Sequence, residues 1–158
     1  MTYNEAFAQM AVEFLNDGWE VRQETPPQAY IHISRPCWGD ANMNGIHLET
    51  YVLDGQIARG YAPVALHCEG GYPHQERFIK VFGARVKGEI EKLDGSGTCD
   101  GWILKEGSSV LEASVPLGDT PDETVKRLSC KLRCLQTLAP TIDKIIADLE
   151  SDMTLGIE

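Results

Sequence analysis

The chain has 158 residues, of which 42% are hydrophobic and 24% charged, proportions that are ordinary for one folded domain. Its 14 Lys and Arg against 24 Asp and Glu give a net charge of −10, which repels phosphate backbones and anionic membrane surfaces. We therefore expect a single domain over residues 1–158, with neither nucleic acid nor a membrane as its partner.

The amino terminus and the cysteine content bear on where the protein resides. The first residues, MTYNEAFAQMAVEF, lack the basic and apolar segments of a secretory signal, and no apolar run approaches the ~20 residues of a membrane-spanning helix. Five cysteines in a chain without such a signal favour reduced thiols. We therefore expect a cytoplasmic protein.

The first predicted element is a helix with an amino-terminal capping signal. Thr2 and Glu5 have the Thr-x-x-Glu spacing at which each side chain bonds the other residue's backbone N–H. Apolar residues at helical spacing follow, namely Phe7, Met10, Ala11, Phe14 and Leu15. Gly18 ends the pattern, because glycine readily takes the left-handed conformation that follows a helix.

Alternation of apolar and polar residues predicts a meander of about four strands after this helix. The segments are Trp19–Arg22, Tyr30–Ser34, Ile46–Leu53 and a return strand from Gln56 to Cys68 that is interrupted at Pro63. Asp54 and Gly55 are typical of a two-residue hairpin turn, in which both residues have positive φ. Consecutive strands are therefore expected to pair in antiparallel fashion.

Helical spacing returns over residues 73–94, and two further strands are predicted at residues 102–105 and 110–115. A last helix begins at Thr120, and its apolar stripe continues to Leu149 past Pro140, which should kink or break it. The order is α-β-β-β-β-α-β-β-α. It predicts an α+β two-layer domain, with a mainly antiparallel sheet of about five to six strands and helices on one face.

Histidines on the polar sides of the meander strands are the strongest candidate site. If these strands are neighbours, His32, His47, Glu49 and His67 share one face of the sheet, because alternate residues of a strand point the same way. Three imidazoles and a carboxylate suit zinc with an open coordination position. The alternative is an ordinary solvated polar face.

Two apolar features are candidates for contact with a protein partner. The long segment between Arg35 and Gly45 contains Trp38 and Met43, and long loops often carry function. Trp38 can instead fold back over the sheet edge. The stripe of the last helix, which includes Leu135 and Ile142, exceeds what one small sheet needs and suggests a dimer interface.

The order of elements resembles that of type III secretion chaperones, which have a leading helix, a three-stranded meander, a middle helix, two strands and a final helix. This likeness is architectural and spans nearly the whole chain, although the strand near residues 56–68 is additional. It implies a homodimer that binds an extended segment of a partner protein.

Catalytic motifs such as His-Glu-x-x-His, Gly-x-Ser-x-Gly and Cys-x-x-Cys are absent from the sequence. We therefore expect a non-enzymatic protein-interaction module, such as a dimeric chaperone or adaptor. The alternative is a metal-dependent enzyme or a small-molecule-sensing domain that uses the histidine-bearing sheet face.

Overall fold

The computed structural model describes residues 1–23, 28–40, 42–94 and 101–154. The helices are α1 (Tyr3–Asn16), α2 (Asp54–Arg59), α3 (Gln75–Asp94), α4 (Pro121–Gln136) and α5 (Ala139–Thr154). The strands are β1 (Glu20–Arg22), β2 (Tyr30–Ser34), β3 (Ile46–Tyr51), β4 (Tyr61–Cys68), β5 (Ile103–Leu104) and β6 (Ser109–Pro116).

The six strands form one antiparallel sheet in the order β1-β2-β3-β4-β6-β5. Helices α1, α3, α4 and α5 cover one face of it, so the predicted α+β class, strand count and element order are confirmed. The capping box is also present, since Thr2 Oγ1 accepts from the Glu5 backbone and Glu5 Oε2 from that of Thr2, both at 3.1 Å.

Strand register divides the sheet into an apolar and a polar face. Leu48 lies opposite Ile33 on one side and Leu66 on the other, and this row packs under the helices. The next row along β3 is polar, because His47 lies opposite His67. A shift of one residue would exchange the two faces, so burial of the apolar row fixes which residues share the polar face.

The predicted Asp54–Gly55 hairpin is wrong, because these residues begin the short helix α2. Gly55 does not have positive φ, and the side chain of Gln56 accepts the Leu53 backbone N–H at 3.0 Å, which supports a helical start. Gly60 ends this helix with φ +82. The return strand therefore begins at Tyr61, after the helix.

The sequence suggested that Pro63 interrupts the return strand, but strand β4 continues through Pro63. Its pairing with β3 begins one residue later, at Val64, so Pro63 has a strand partner on β6 alone. This resembles a position at a sheet edge, where proline is tolerated. Pro140 does break the last helix as predicted, and α4 and α5 are separate.

The residues predicted as partner contacts are mostly internal. Trp38, Leu135 and Ile142 are at most 1% exposed, which removes them from the surface of the subunit. The apolar stripe predicted for the last helix is buried inside the chain, because α4 packs on the sheet and α1 while α5 packs on α3. Met43 remains on the surface at 37% exposure.

Two findings concern membrane spanning and the thiols. Among the described residues, no helix combines the length and the apolar character needed to cross a bilayer. Cys37, Cys68 and Cys130 are free thiols, whereas Cys134 is disulfide-bonded. The expectation that every cysteine is reduced is therefore wrong for Cys134, and Cys99 lies outside the described residues.

The loop after β2 is anchored to the helical layer before it returns to the polar face. Arg35 Nη1 and Trp38 Nε1 both donate to the carboxylate of Asp143 on α5, at 2.5 and 2.7 Å. Gly39 then reverses the chain with φ 67. A Cβ on Gly45 would collide with the carbonyl oxygen of Gly39, so the two ends of this turn are in direct contact.

We predict that Gly45→Ala destabilises the protein by about 1–3 kcal/mol, because a methyl group must displace backbone rather than a flexible side chain. Urea unfolding followed by circular dichroism measures this change. Gly70→Ala is the matched control, since no heavy atom lies within 4 Å of its Cβ position. Equal stability of the two variants would contradict the close packing of this turn.

Candidate metal centre

Three imidazole rings stand side by side across β2, β3 and β4. The ring centroids of His32 and His47 are 3.6 Å apart, those of His47 and His67 are 5.3 Å apart, and both pairs are stacked. Glu49 lies on the same face, directly opposite His32. The structure therefore brings together all four residues that the sequence suggested as metal ligands.

Asp40 joins this group from the loop after β2 and was not foreseen. Its carboxylate accepts hydrogen bonds from His32 Nε2, from His47 Nδ1 at 3.3 Å and from the Gly45 backbone N–H at 2.8 Å. The side chains of His32, Asp40 and His47 are at most 2% exposed. Asp40 lies in a loop whose path depends on its anchor at Asp143 and on its glycines. The alternation of residues along the strands therefore could not predict its position.

One carboxylate oxygen of Glu49 faces both His47 and His67. Its Oε1 lies 2.7 Å from His67 Nε2 and 3.8 Å from His47 Nε2. Its other oxygen, Oε2, accepts from the Tyr30 hydroxyl at 2.5 Å. The carboxylate is therefore held in orientation by β2 while Oε1 faces the two imidazoles.

Glu69 and Ser109 complete the surroundings of His67. Glu69 Oε1 lies 3.0 Å from His67 Nδ1, and Ser109 Oγ lies 3.2 Å from His67 Nε2. The β4–β6 register is irregular between Leu66 and His67, and this bulge places Ser109 opposite His67. Glu69 directly follows β4 and was not among the ligands suggested from the sequence, and the bulge that positions Ser109 has no sequence signature.

Three of these residues each direct one donor atom toward a common region. His47 and His67 are held at Nδ1 by Asp40 and Glu69, which leaves Nε2 of both rings facing Glu49 Oε1. A group that comprises His47, Glu49, His67 and Glu69 has one ligand atom from each within 4.8 Å of the others. Tetrahedral zinc bonds of ~2.0–2.1 Å separate ligand atoms by roughly 3.3 Å, which lies between the distances of 2.7 and 3.8 Å from Glu49 Oε1 to the two histidine nitrogens.

His32 supports this arrangement from the far side of His47. It belongs to a second group of possible ligands, with Asp40 and His47, in which all three residues are buried. Both ring nitrogens of His32 are engaged outside the Glu49 group, because Nε2 contacts Asp40 and Nδ1 lies 3.4 Å from the Tyr30 hydroxyl. His32 therefore positions Asp40, and is separate from the Glu49 group.

Ion pairing controls the charge of the cluster. Burial alone would raise the pKa of Asp40 and Glu49, but hydrogen bonds from the histidines hold both well below their usual range. Burial alone would lower the pKa of His47, yet its bonds to Asp40 and Glu49 raise it to about 9, and carboxylates raise that of His67 as well. Buried positive charge is thus balanced by buried negative charge.

No protein-family model, curated protein or solved structure matches this chain. The resemblance to secretion chaperones stays a prediction.

We predict that the metal-free protein loses stability as the pH rises from about 6.5 to about 9. His47 has its raised pKa only when folded, so its contribution is complete below 6.5 and is lost as the pH passes 9. The loss is up to about 3 kcal/mol. Urea unfolding across this range, in the presence of a chelator, measures it.

His47→Gln should remove most of this pH dependence, whereas His74→Gln, at a half-buried histidine outside the cluster, should keep it. The low pKa values of Asp40 and Glu49 act in the opposite direction, because their contributions are lost on acidification. A free energy of unfolding that is constant or rises between pH 6.5 and 9 would show that the ion pairs do not stabilise the fold.

Proposed function

We propose that the protein binds a divalent transition metal, zinc in the first instance, through His47 Nε2, His67 Nε2 and Glu49 Oε1. One observation carries this proposal. The second donor atom of each ligand is already held by Asp40, Glu69 or Tyr30. Metal-binding histidines and carboxylates are typically oriented by such outer-shell partners.

The donor set selects the class of metal. Two imidazole nitrogens and one carboxylate oxygen suit zinc and its transition-metal neighbours, whereas calcium and magnesium prefer oxygen ligands throughout. Three protein ligands also leave a coordination position for water or another ligand, which is the pattern of catalytic zinc sites rather than closed structural ones.

The hydrogen bonds within the cluster support this proposal, because a proton lies where a bound metal would coordinate. A carboxylate can only accept, so the 2.7 Å contact between Glu49 Oε1 and His67 Nε2 requires a proton on that nitrogen. In the metal-bound protein, His67 Nε2 would coordinate the ion in place of this proton, together with His47 Nε2 and Glu49 Oε1. Because Asp40 and Glu69 stay in place, they offset part of the added positive charge.

Zinc titration of the chelator-treated protein tests this proposal. We expect one zinc ion per chain, and His47→Ala or His67→Ala should weaken binding by more than the 10–100-fold typical of losing an outer-shell partner. Tyr30→Phe removes only the hydroxyl that orients Glu49, so its loss should lie within about 10–100-fold. Competition with a chromophoric chelator gives the affinities.

His74→Ala is the matched control, and circular dichroism verifies that each variant is folded. The proposal fails if the folded wild type binds no zinc, or if His74→Ala weakens binding as much as His47→Ala does.

The interaction module, dimeric chaperone or adaptor predicted from the sequence is a second proposal with less support. Leu135 and Ile142, which were expected to form an exposed apolar stripe, are instead core residues. Met43 remains available to a protein partner. A homodimer is likewise a proposal, and nothing in the metal site requires a second copy of the chain.

A further inference from the structure

We infer that Glu69 is the proton acceptor for water at the open coordination position, and that the site hydrolyses small, uncharged carboxylic esters. This inference rests on the proposed metal site. It assigns a reaction and a substrate class to that site, together with a catalytic role for a residue that is separate from the three ligands.

Exposure increases across the cluster and defines the side from which a substrate approaches. The side chains of His47 and Glu49 are 2% and 9% exposed, whereas those of His67 and Glu69 are 19% and 31% exposed. Asp40 and His32 close the opposite side, since both are almost fully buried. Water and a small substrate therefore reach the site beside Glu69.

Glu69 lies close to the ligand atoms without needing to be a ligand itself. Its Oε1 is 3.0 Å from His67 Nδ1 and 3.9 Å from His47 Nε2. The first contact uses the nitrogen of His67 that faces away from Glu49. The 3.9 Å contact with His47 Nε2, a proposed ligand atom, is the one that would put this carboxylate beside a water in the open coordination position.

Ser109 supplies a hydroxyl on the same side. Its Oγ lies 3.2 Å from His67 Nε2, which is the nitrogen assigned to the metal. A hydroxyl here can donate a hydrogen bond to the carbonyl oxygen of an ester as negative charge develops on it. The bulge in β4–β6 pairing is thus placed where it orients a reacting group.

The proposed step balances without any further reactant. Glu69 takes one proton from the water, whose oxygen forms a bond to the carbonyl carbon while the π electron pair moves to the carbonyl oxygen. That pair returns as the bond to the leaving oxygen breaks, and Glu69 gives its proton to this oxygen. One ester and one water yield one acid and one alcohol, with no change of oxidation state.

Charge selects the substrate class. The chain carries a net charge of −10, and the exposed member of the cluster is a carboxylate. This field disfavours approach of phosphate esters, whereas a neutral ester meets no such barrier.

The experiment measures hydrolysis of p-nitrophenyl acetate by the zinc-loaded protein, with bis(p-nitrophenyl) phosphate as the anionic comparison. Glu69→Gln keeps an oxygen that accepts from His67 Nδ1 but cannot take up a proton. We expect its zinc affinity to fall by no more than the roughly 10–100-fold typical of an outer-shell partner. At saturating zinc, its kcat/KM for the ester should fall by about 100-fold or more. Glu106→Gln, at an exposed residue in the turn between β5 and β6, should change neither quantity.

Each outcome decides between the two proposals. If the wild type binds no zinc, the metal site itself is wrong. If zinc binds but the wild type is no faster than Glu69→Gln, the site stands and the hydrolytic role is overturned. If Glu69→Gln weakens zinc binding by much more than about 100-fold, Glu69 is a ligand rather than a proton acceptor. Faster hydrolysis of the phosphate diester than of the acetate would overturn the substrate class.

Discussion

The polar face of the sheet holds charge that is almost fully removed from water, and this charge must be neutralised where it lies. His32 and His47 are nearly inaccessible, as is the carboxylate of Asp40 between them. An unpaired buried ion would cost several kcal/mol, so these groups are tolerable only as a connected set. Glu49 on β3 and His67 on β4 form a further pair of opposite charges on the same face.

Much of the surrounding architecture serves to place Asp40. The loop that carries it is tied to α5 through Asp143, reversed at Gly39 and closed against Gly45, whose backbone N–H bonds the Asp40 carboxylate. Helix packing on one face of the sheet is thereby coupled to ion pairing on the other. Substitutions at Trp38 or Asp143 should therefore disturb the histidines without touching them.

Local patterns in the sequence explain the fold and half of the site. Period-two alternation identified the strands and put His47, Glu49 and His67 on one face, because burial of the opposite face fixes register. Asp40 and Ser109 were out of reach, since a loop path and a bulge place them. The wrong hairpin prediction at Asp54 and Gly55 shows that a dipeptide typical of turns can begin a helix when a nearby side chain caps that helix.

X-ray absorption at the zinc edge, on protein loaded with one equivalent of zinc, tests the central claim most directly. We predict two imidazole nitrogens and carboxylate or water oxygens at ~2.0–2.1 Å. Sulfur ligands at ~2.3 Å would instead place the ion at cysteine, and Cys37 and Cys130 are exposed free thiols that could provide them. A shell of oxygens alone would mean that zinc is held only by surface carboxylates, which would contradict the account equally.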